Sequence, residues 1–260
     1  MNLRPLGEKS EMGETILTAE NLTKRFGGLI AVNRCSFDVR RGSITGLIGP
    51  NGAGKTTMFN LICGNVKPTA GEVFFRGERI TGFSPHRLAR LGVGRTFQLS
   101  RVFKGMTVWE NLFLVPPPAD SPKDSAGRAR DLLDSVGLGR HTRTYAGALS
   151  YGQQKLLEFA RAFMLDPKLV LLDEIFAGLN PEETERQIKT IQAFRGQTQT
   201  TFVVIDHAVS VVLRLCEWIV VMNQGEIIAQ GSSREIENDE KVIEAYFGSA
   251  SLASLMEEGE

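Results

Sequence analysis

The chain has 260 residues, enough for one large α/β domain with insertions or for two small domains, and its 42% hydrophobic and 23% charged residues are ordinary for a globular protein in water. Lys plus Arg balance Asp plus Glu, 30 against 30, so the charge carries no footprint of a nucleic-acid binder, and no nucleic-acid partner is expected. The longest apolar runs, FVVI and WIVVM, fall far short of the roughly eighteen residues that span a bilayer, and the polar opening MNLRPLGEKSEMGET does not read as a signal peptide.

Residues 1–13 read as a flexible extension. ILTAENLTKRF, CSFDVR, SITGLIG and GEVFFRG then read as strands separated by polar turns. Ser84 with Pro85 predicts the N-cap and first residue of a helix that stops at Gly92. VPPPADSP is a proline-rich break, and Ala126–Val136 puts Ala129, Leu132, Leu133 and Val136 on one helical face before Gly137. LVLLDE and TTFVVID are short continuous apolar runs, as parallel strands buried on both faces require. Between them Asn180 and Pro181 predict the start of a helix carrying Ile188, Ile191 and Phe194. WIVVMNQGEIIAQG reads as a hairpin, and the acidic end around MEEGE as a frayed tail. The pattern thus predicts a strand-rich part over 14–98, a mainly helical part over 99–164, further strands and helices over 165–249 and a flexible tail over 250–260. The scattered Cys35, Cys63 and Cys216 form neither a metal pattern nor an even disulfide set, as in a reducing cytoplasm, and read as small core residues.

GPNGAGKTT, from Gly49 through Pro50, Asn51, Gly52, Ala53, Gly54, Lys55 and Thr56 to Thr57, matches G-x-x-x-x-G-K-[ST] between an apolar strand and a helix. Its glycines let consecutive amides curl around phosphate oxygens, Lys55 reaches the β and γ phosphates, and Thr56 offers its hydroxyl to Mg²⁺. Asp173 and Glu174 follow the strand LVLL, where open α/β sheets place their ligands. Asp173 suits a Mg²⁺ ion and Glu174 an attacking water. His207 follows the next such strand as a donor towards the γ-phosphate, and Gln98, in GRTFQ, offers an amide oxygen to Mg²⁺ or the water. LSYGQQKLLEFARAF reads as a capped helix whose start suits an anion such as phosphate: Ser150 and Gln153 fit a capping box, and Gly152 in the first helical turn suggests close approach to the backbone.

With these residues in this order the sequence resembles the ATP-binding subunits of ABC transporters, over about residues 15–248. Walker A at 49–56, a Q-loop at Gln98, the signature LSYGQ at 149–153, Walker B at 169–174 and a switch His207 occur in family order. The resemblance implies an α/β P-loop NTPase of ABC type, with a mainly parallel core sheet, an antiparallel β subdomain and an inserted helical subdomain. It implies ATP and Mg²⁺ as cofactors, with Thr56, Gln98 and Asp173 on the metal and Gln98, Glu174 and His207 in catalysis. Two subunits, identical or sister chains, would pair head to tail so that Ser150, Tyr151, Gly152 and Gln153 meet the partner's ATP. On that basis Gly152 is a glycine that folding alone does not need. Phe26 takes the aromatic A-loop position, where stacking on adenine would contribute roughly 1 to 3 kcal/mol, and Val32 joins the expected nucleotide contacts.

LTKRFGGLIAVN, GRTFQLSRVFKGMTVWENL, LSYGQQ, AGLNP and NQGEIIAQG with VIEAYFG most resemble the branched-chain amino acid transport ATPases of the Liv type. Tyr151 for the central signature glycine and Asn180 for the usual Asp suit that branch, while Ile175 and Ala208 depart from the general pattern and bear on loop geometry. The resemblance implies a peripheral subunit on the cytoplasmic face of the plasma membrane, driving amino-acid import through membrane permeases that dock between Gln98 and Phe103. A periplasmic or extracellular solute-binding protein would act indirectly. Lipopolysaccharide export and a soluble non-transport ABC ATPase are the alternatives; a non-catalytic binding subunit is disfavoured by Glu174 and His207.

Overall fold

The computed structural model describes residues 14–96, 102–114 and 124–247. Gln98, Leu99 and the VPPPADSP break lie outside these residues, as do the two terminal segments. In chain order the elements are strands β1 (Thr15–Phe26), β2 (Leu29–Arg40) and β3 (Ile44–Ile48), helix α1 (Lys55–Ile62), β4 (Ala70–Phe75), β5 (Glu78–Arg79), α2 (Pro85–Leu91) and β6 (Val93–Arg95). Helices α3 (Val108–Leu112), α4 (Ser125–Ser135) and α5 (Tyr151–Phe163) follow, with two short 3₁₀ turns before α5. The chain continues through β7 (Leu169–Asp173), α6 (Pro181–Thr198), β8 (Thr201–Ile205), α7 (Val209–Leu215), β9 (Trp218–Asn223), β10 (Glu226–Gly231), α8 (Ser233–Glu237) and α9 (Glu240–Phe247).

Six strands form a sheet of order β10-β9-β3-β8-β7-β6, parallel throughout except for the β9–β10 hairpin. Successive side chains along a strand point to opposite faces, so a sheet covered on both sides needs apolar residues at every position. Leu169, Leu171, Val203 and Ile205 accordingly enter one core, while Val170, Leu172, Phe202 and Val204 enter the other. The first core is closed by α1 and by the antiparallel sheet β2-β1-β4-β5, through Phe59, Leu17, Phe37 and Val73. The second is closed by α3 to α7, with Phe159, Phe163, Phe194 and Phe202 packed ring to ring at its centre.

The local signals act where expected. The Ser84 hydroxyl accepts from Arg87 N–H, and Gly92 closes α2 with φ 95°. Asn180 caps α6 in a capping box with Glu183. Gln224 and Gly225, both with positive φ, turn the β9–β10 hairpin, as the twist of such two-residue turns requires. All three cysteines are buried, free thiols. No described helix is long and apolar enough to cross a membrane.

Candidate active site

The end of β3 leads into the loop that starts α1. Gly49 and Gly54 have φ of 152° and 100°, and a Cβ on either would collide with a backbone carbonyl, that of Met222 or of Ala31. Only glycine lets the loop seat so tightly against its neighbours. α1 begins at Gly54 with no side-chain cap and no acidic residue in its first turn. Its amide end is thus suited to an external anion. The buried Lys55 ammonium donates to the carbonyls of Gly49 at 2.6 Å and Pro50 at 3.0 Å. Burial lowers its pKa, against a pull upward from Glu174. At the same residue, the Gly49 N–H donates to the hydroxyl of Tyr246 on α9, a phenol whose pKa burial raises. Amide end, lysine and tight loop together fit a polyphosphate chain.

Asp173 ends β7, nearly buried, with Oδ2 2.6 Å from Nη2 of Arg95 on β6. Thr56 is exposed at the first turn of α1. Both offer the hard oxygen donors that Mg²⁺ takes, so the residues present fit that ion. Glu174 follows with φ 50°, a left-handed conformation that costs a residue with a Cβ on the order of 1 to 2 kcal/mol. The surroundings enforce it: its N–H donates to Ile205 O at 2.8 Å, and its carbonyl accepts from Lys155 Nζ at 2.7 Å. Its carboxylate Oε1 lies 3.1 Å from His207 Nε2, just beyond β8. Asp206 is buried next to that histidine and accepts from the amides of Phe176 and Ala208. Because β3, β8 and β7 are neighbours, Lys55, Asp173, Glu174 and His207 are gathered at one edge of the sheet, where carboxyl ends of parallel strands form a crevice.

Phe26 is 49% exposed, with Lys24 Nζ 5.0 Å from its ring. Val32 differs from expectation. Its side chain is fully buried, in the same core as Ala53 and Met222, and backs the loop instead of lining its open side. Ser150 and Gln153 form the expected capping box, Gln153 N–H donating to Ser150 Oγ and Ser150 N–H to Gln153 Oε1. Gly152 faces α6, where a Cβ would stand 2.6 Å from Oε1 of Glu183, the free end of a flexible side chain. With Leu179 and Gln187 these residues border a small cavity between α5 and α6. In the segment after Gln98, Val102 is buried and Phe103 is 54% exposed, so the apolar residues there divide between core and surface. The fully buried Asn111 pins Phe103, accepting from its N–H at 2.8 Å and donating to its carbonyl at 3.1 Å. Arg95, Asn111, Lys155 and Asp206 are the site residues that reading the sequence missed. Asp206 and Lys155 carry the one available signal, a charge beside a motif.

A phosphate loop at the head of a parallel sheet, with paired carboxylates one strand beyond its neighbour, defines a P-loop nucleoside triphosphatase. A family model described as ABC transporter matches residues 32–177, and one described as branched-chain amino acid ATP-binding cassette transporter matches residues 226–251. The chain is 40% identical over 255 residues to the high-affinity branched-chain amino acid transport ATP-binding protein LivG of Salmonella typhimurium, covering 92% of this chain and all of LivG. A nucleotide-free ATP-binding cassette from an ABC transporter superposes with a TM-score of 0.83 at 35% identity, over 91% of this chain and all of the other. The dimeric cassette MJ0796 does so with a TM-score of 0.73 at 26% identity, over 84% and 99%. The chain belongs to the ATP-hydrolysing cassettes of ABC transporters, in the branched-chain amino acid branch of that family.

Proposed function

We propose that this cassette powers the uptake of branched-chain or related amino acids through separate membrane permeases, hydrolysing ATP at sites shared between two cassettes. The observation that carries the reading is the left-handed Glu174, whose carboxylate meets His207 beside Asp173 and the phosphate loop. Lys55 and the α1 amides hold the phosphates, and Thr56 and Asp173, with Gln98, hold Mg²⁺. The ion supplies charge neutralisation on the phosphates when bound. Glu174 takes the proton of the attacking water, and His207 orients that carboxylate. Phe26 carries the adenine ring. Ser150, Tyr151, Gly152 and Gln153 face the nucleotide of the second cassette, identical or sister, as the dimeric relative makes reasonable. Amino acids as cargo rest on the LivG likeness and on the match at the chain's C-terminal end.

The test is reconstitution with the permeases and solute-binding protein in proteoliposomes. ATP-dependent leucine uptake is expected, and Glu174→Gln should lose turnover by about a hundredfold or more while still binding ATP. Undiminished hydrolysis by that variant would remove Glu174 as base, and ATPase activity that no amino acid stimulates would remove the proposed cargo.

A further inference from the structure

The signature helix is tied to the catalytic glutamate of its own chain. Lys155 lies one turn beyond Tyr151 on α5 and is only 3% exposed. A buried ammonium is costly unless something needs it there. Its Nζ donates to the Glu174 carbonyl at 2.7 Å, across a sequence separation of nineteen residues. Burial lowers its pKa, opposed by the negative charges of Glu158, Asp206, Glu174 and Asp173 around it. Tyr151 covers the pair: its ring lies 5.4 Å from Lys155 Nζ, and its Cε1 is 3.2 Å from where a Cβ on Gly178 would stand. Gly178 has φ 75° and belongs to the loop between β7 and α6. One side chain of the signature thus touches that loop and the lysine, and the lysine touches the peptide of Glu174.

We infer that Lys155 is a positioning residue for Glu174, holding its peptide in the left-handed conformation that points the carboxylate at His207, and that Tyr151 transmits the state of the signature to this contact. The inference rests on the reading of Glu174 as the base. A residue held on both sides, its N–H by Ile205 O and its carbonyl by Lys155 Nζ, cannot relax towards extended backbone without breaking one hydrogen bond. Because Tyr151 and Lys155 share a helix face with one another, a shift of the α5 N-terminus against a partner's nucleotide moves the lysine with it. The site that α5 completes in trans and the site that Glu174 serves in cis are thereby mechanically joined. Such coupling requires an element that contacts both, and α5 is that element.

The experiment uses the full chain, with steady-state hydrolysis and fluorescent-ATP binding measured separately. Lys155→Met is expected to lower kcat at least tenfold with ATP affinity changed less than twofold, and Lys155→Arg to restore most of the rate. In a Glu174→Gln background, Lys155→Met should cause no further loss, because the carboxylate it positions is gone. Should Lys155→Met fail to fold, Lys155→Gln carries the same comparisons. Unchanged kcat in the folded variant, or an equal further loss in the Glu174→Gln background, overturns the inference. Active Glu174→Gln would instead refute the reading of the base, so the two failures are distinguishable.

Discussion

Arg95 and Asp173 meet at 2.6 Å across the parallel pair β6 and β7, with side chains only 12% and 5% exposed. The second guanidinium nitrogen reaches Asn60 Oδ1 on α1 at 2.8 Å, so one arginine ties the Asp173 carboxylate to the helix behind the phosphate loop. A buried carboxylate without its partner is expensive. Arg95→Met should therefore lower unfolding free energy by about 3 to 5 kcal/mol, read from urea titration, and adding Asp173→Asn should recover part of it. A loss within 0.5 kcal/mol, the range of about any surface change, would contradict a structural ion pair.

The trans role of the signature can be separated from a cis role by where two defects are placed. Lys55→Ala in one subunit and Gly152→Asp in its partner damage the same composite site and leave the other whole. Both changes in one subunit, opposite an unaltered one, damage both sites. Hydrolysis should survive in the first arrangement and vanish in the second; the reverse pattern means that each chain acts on its own nucleotide. Since Gly152 packs against the end of Glu183, folding of each variant is to be verified by its thermal midpoint.

Phe103 exposes an aromatic ring on a loop braced from inside by Asn111, with the Arg161 guanidinium 6.0 Å from the ring. A rigidly held, exposed apolar side chain is suited to a partner surface. Phe103→Asp should leave the isolated subunit folded and able to bind ATP, yet abolish co-purification with the permeases and amino-acid uptake. Normal uptake by that variant would place the docking surface elsewhere.

Asp206 provides a pH signature. Burial raises its carboxyl pKa above the ordinary value, opposed by the amides of Ala208, Phe176 and His207 and by the charge of Lys155. A raised folded pKa means the stabilising contribution is complete below the unfolded pKa and is lost as pH rises through the folded one. The stability of the unaltered protein relative to Asp206→Asn should thus fall on leaving the carboxylate range, about pH 4, and then level off. Urea titrations across that range measure it, and a difference that grows with pH would show a depressed pKa instead.

The strands and the phosphate loop were readable because their causes are local. Nine consecutive residues at 49–57 carry the loop, and unbroken apolar runs announce strands covered on both faces. Capping at Ser84, Ser150 and Asn180 was legible for the same reason, since each cap lies within three residues of its partner. Arg95 and Lys155 were not, because their partners stand 78 and 19 residues away and only the fold brings them together. β5 and β6, of two and three residues, are too short to show a period, and the neighbouring strand decides their state. Gly152 was half legible: its sequence position suggests an anion, but the approach of Glu183 becomes visible only once α5 and α6 are packed.

The turn of the β9–β10 hairpin lies far along the chain from the phosphate loop, yet Gly225 N–H donates to Ala53 O at 3.0 Å, and Gly225 O accepts from Asn33 N–H at 2.8 Å. Hairpin tips are ordinarily where a chain accepts a graft, an epitope or a fluorophore at little cost. This one is the back wall of the phosphate loop. A tag spliced between Gln224 and Gly225 would be felt first as lost grip on ATP, so a labelled cassette should carry its probe elsewhere.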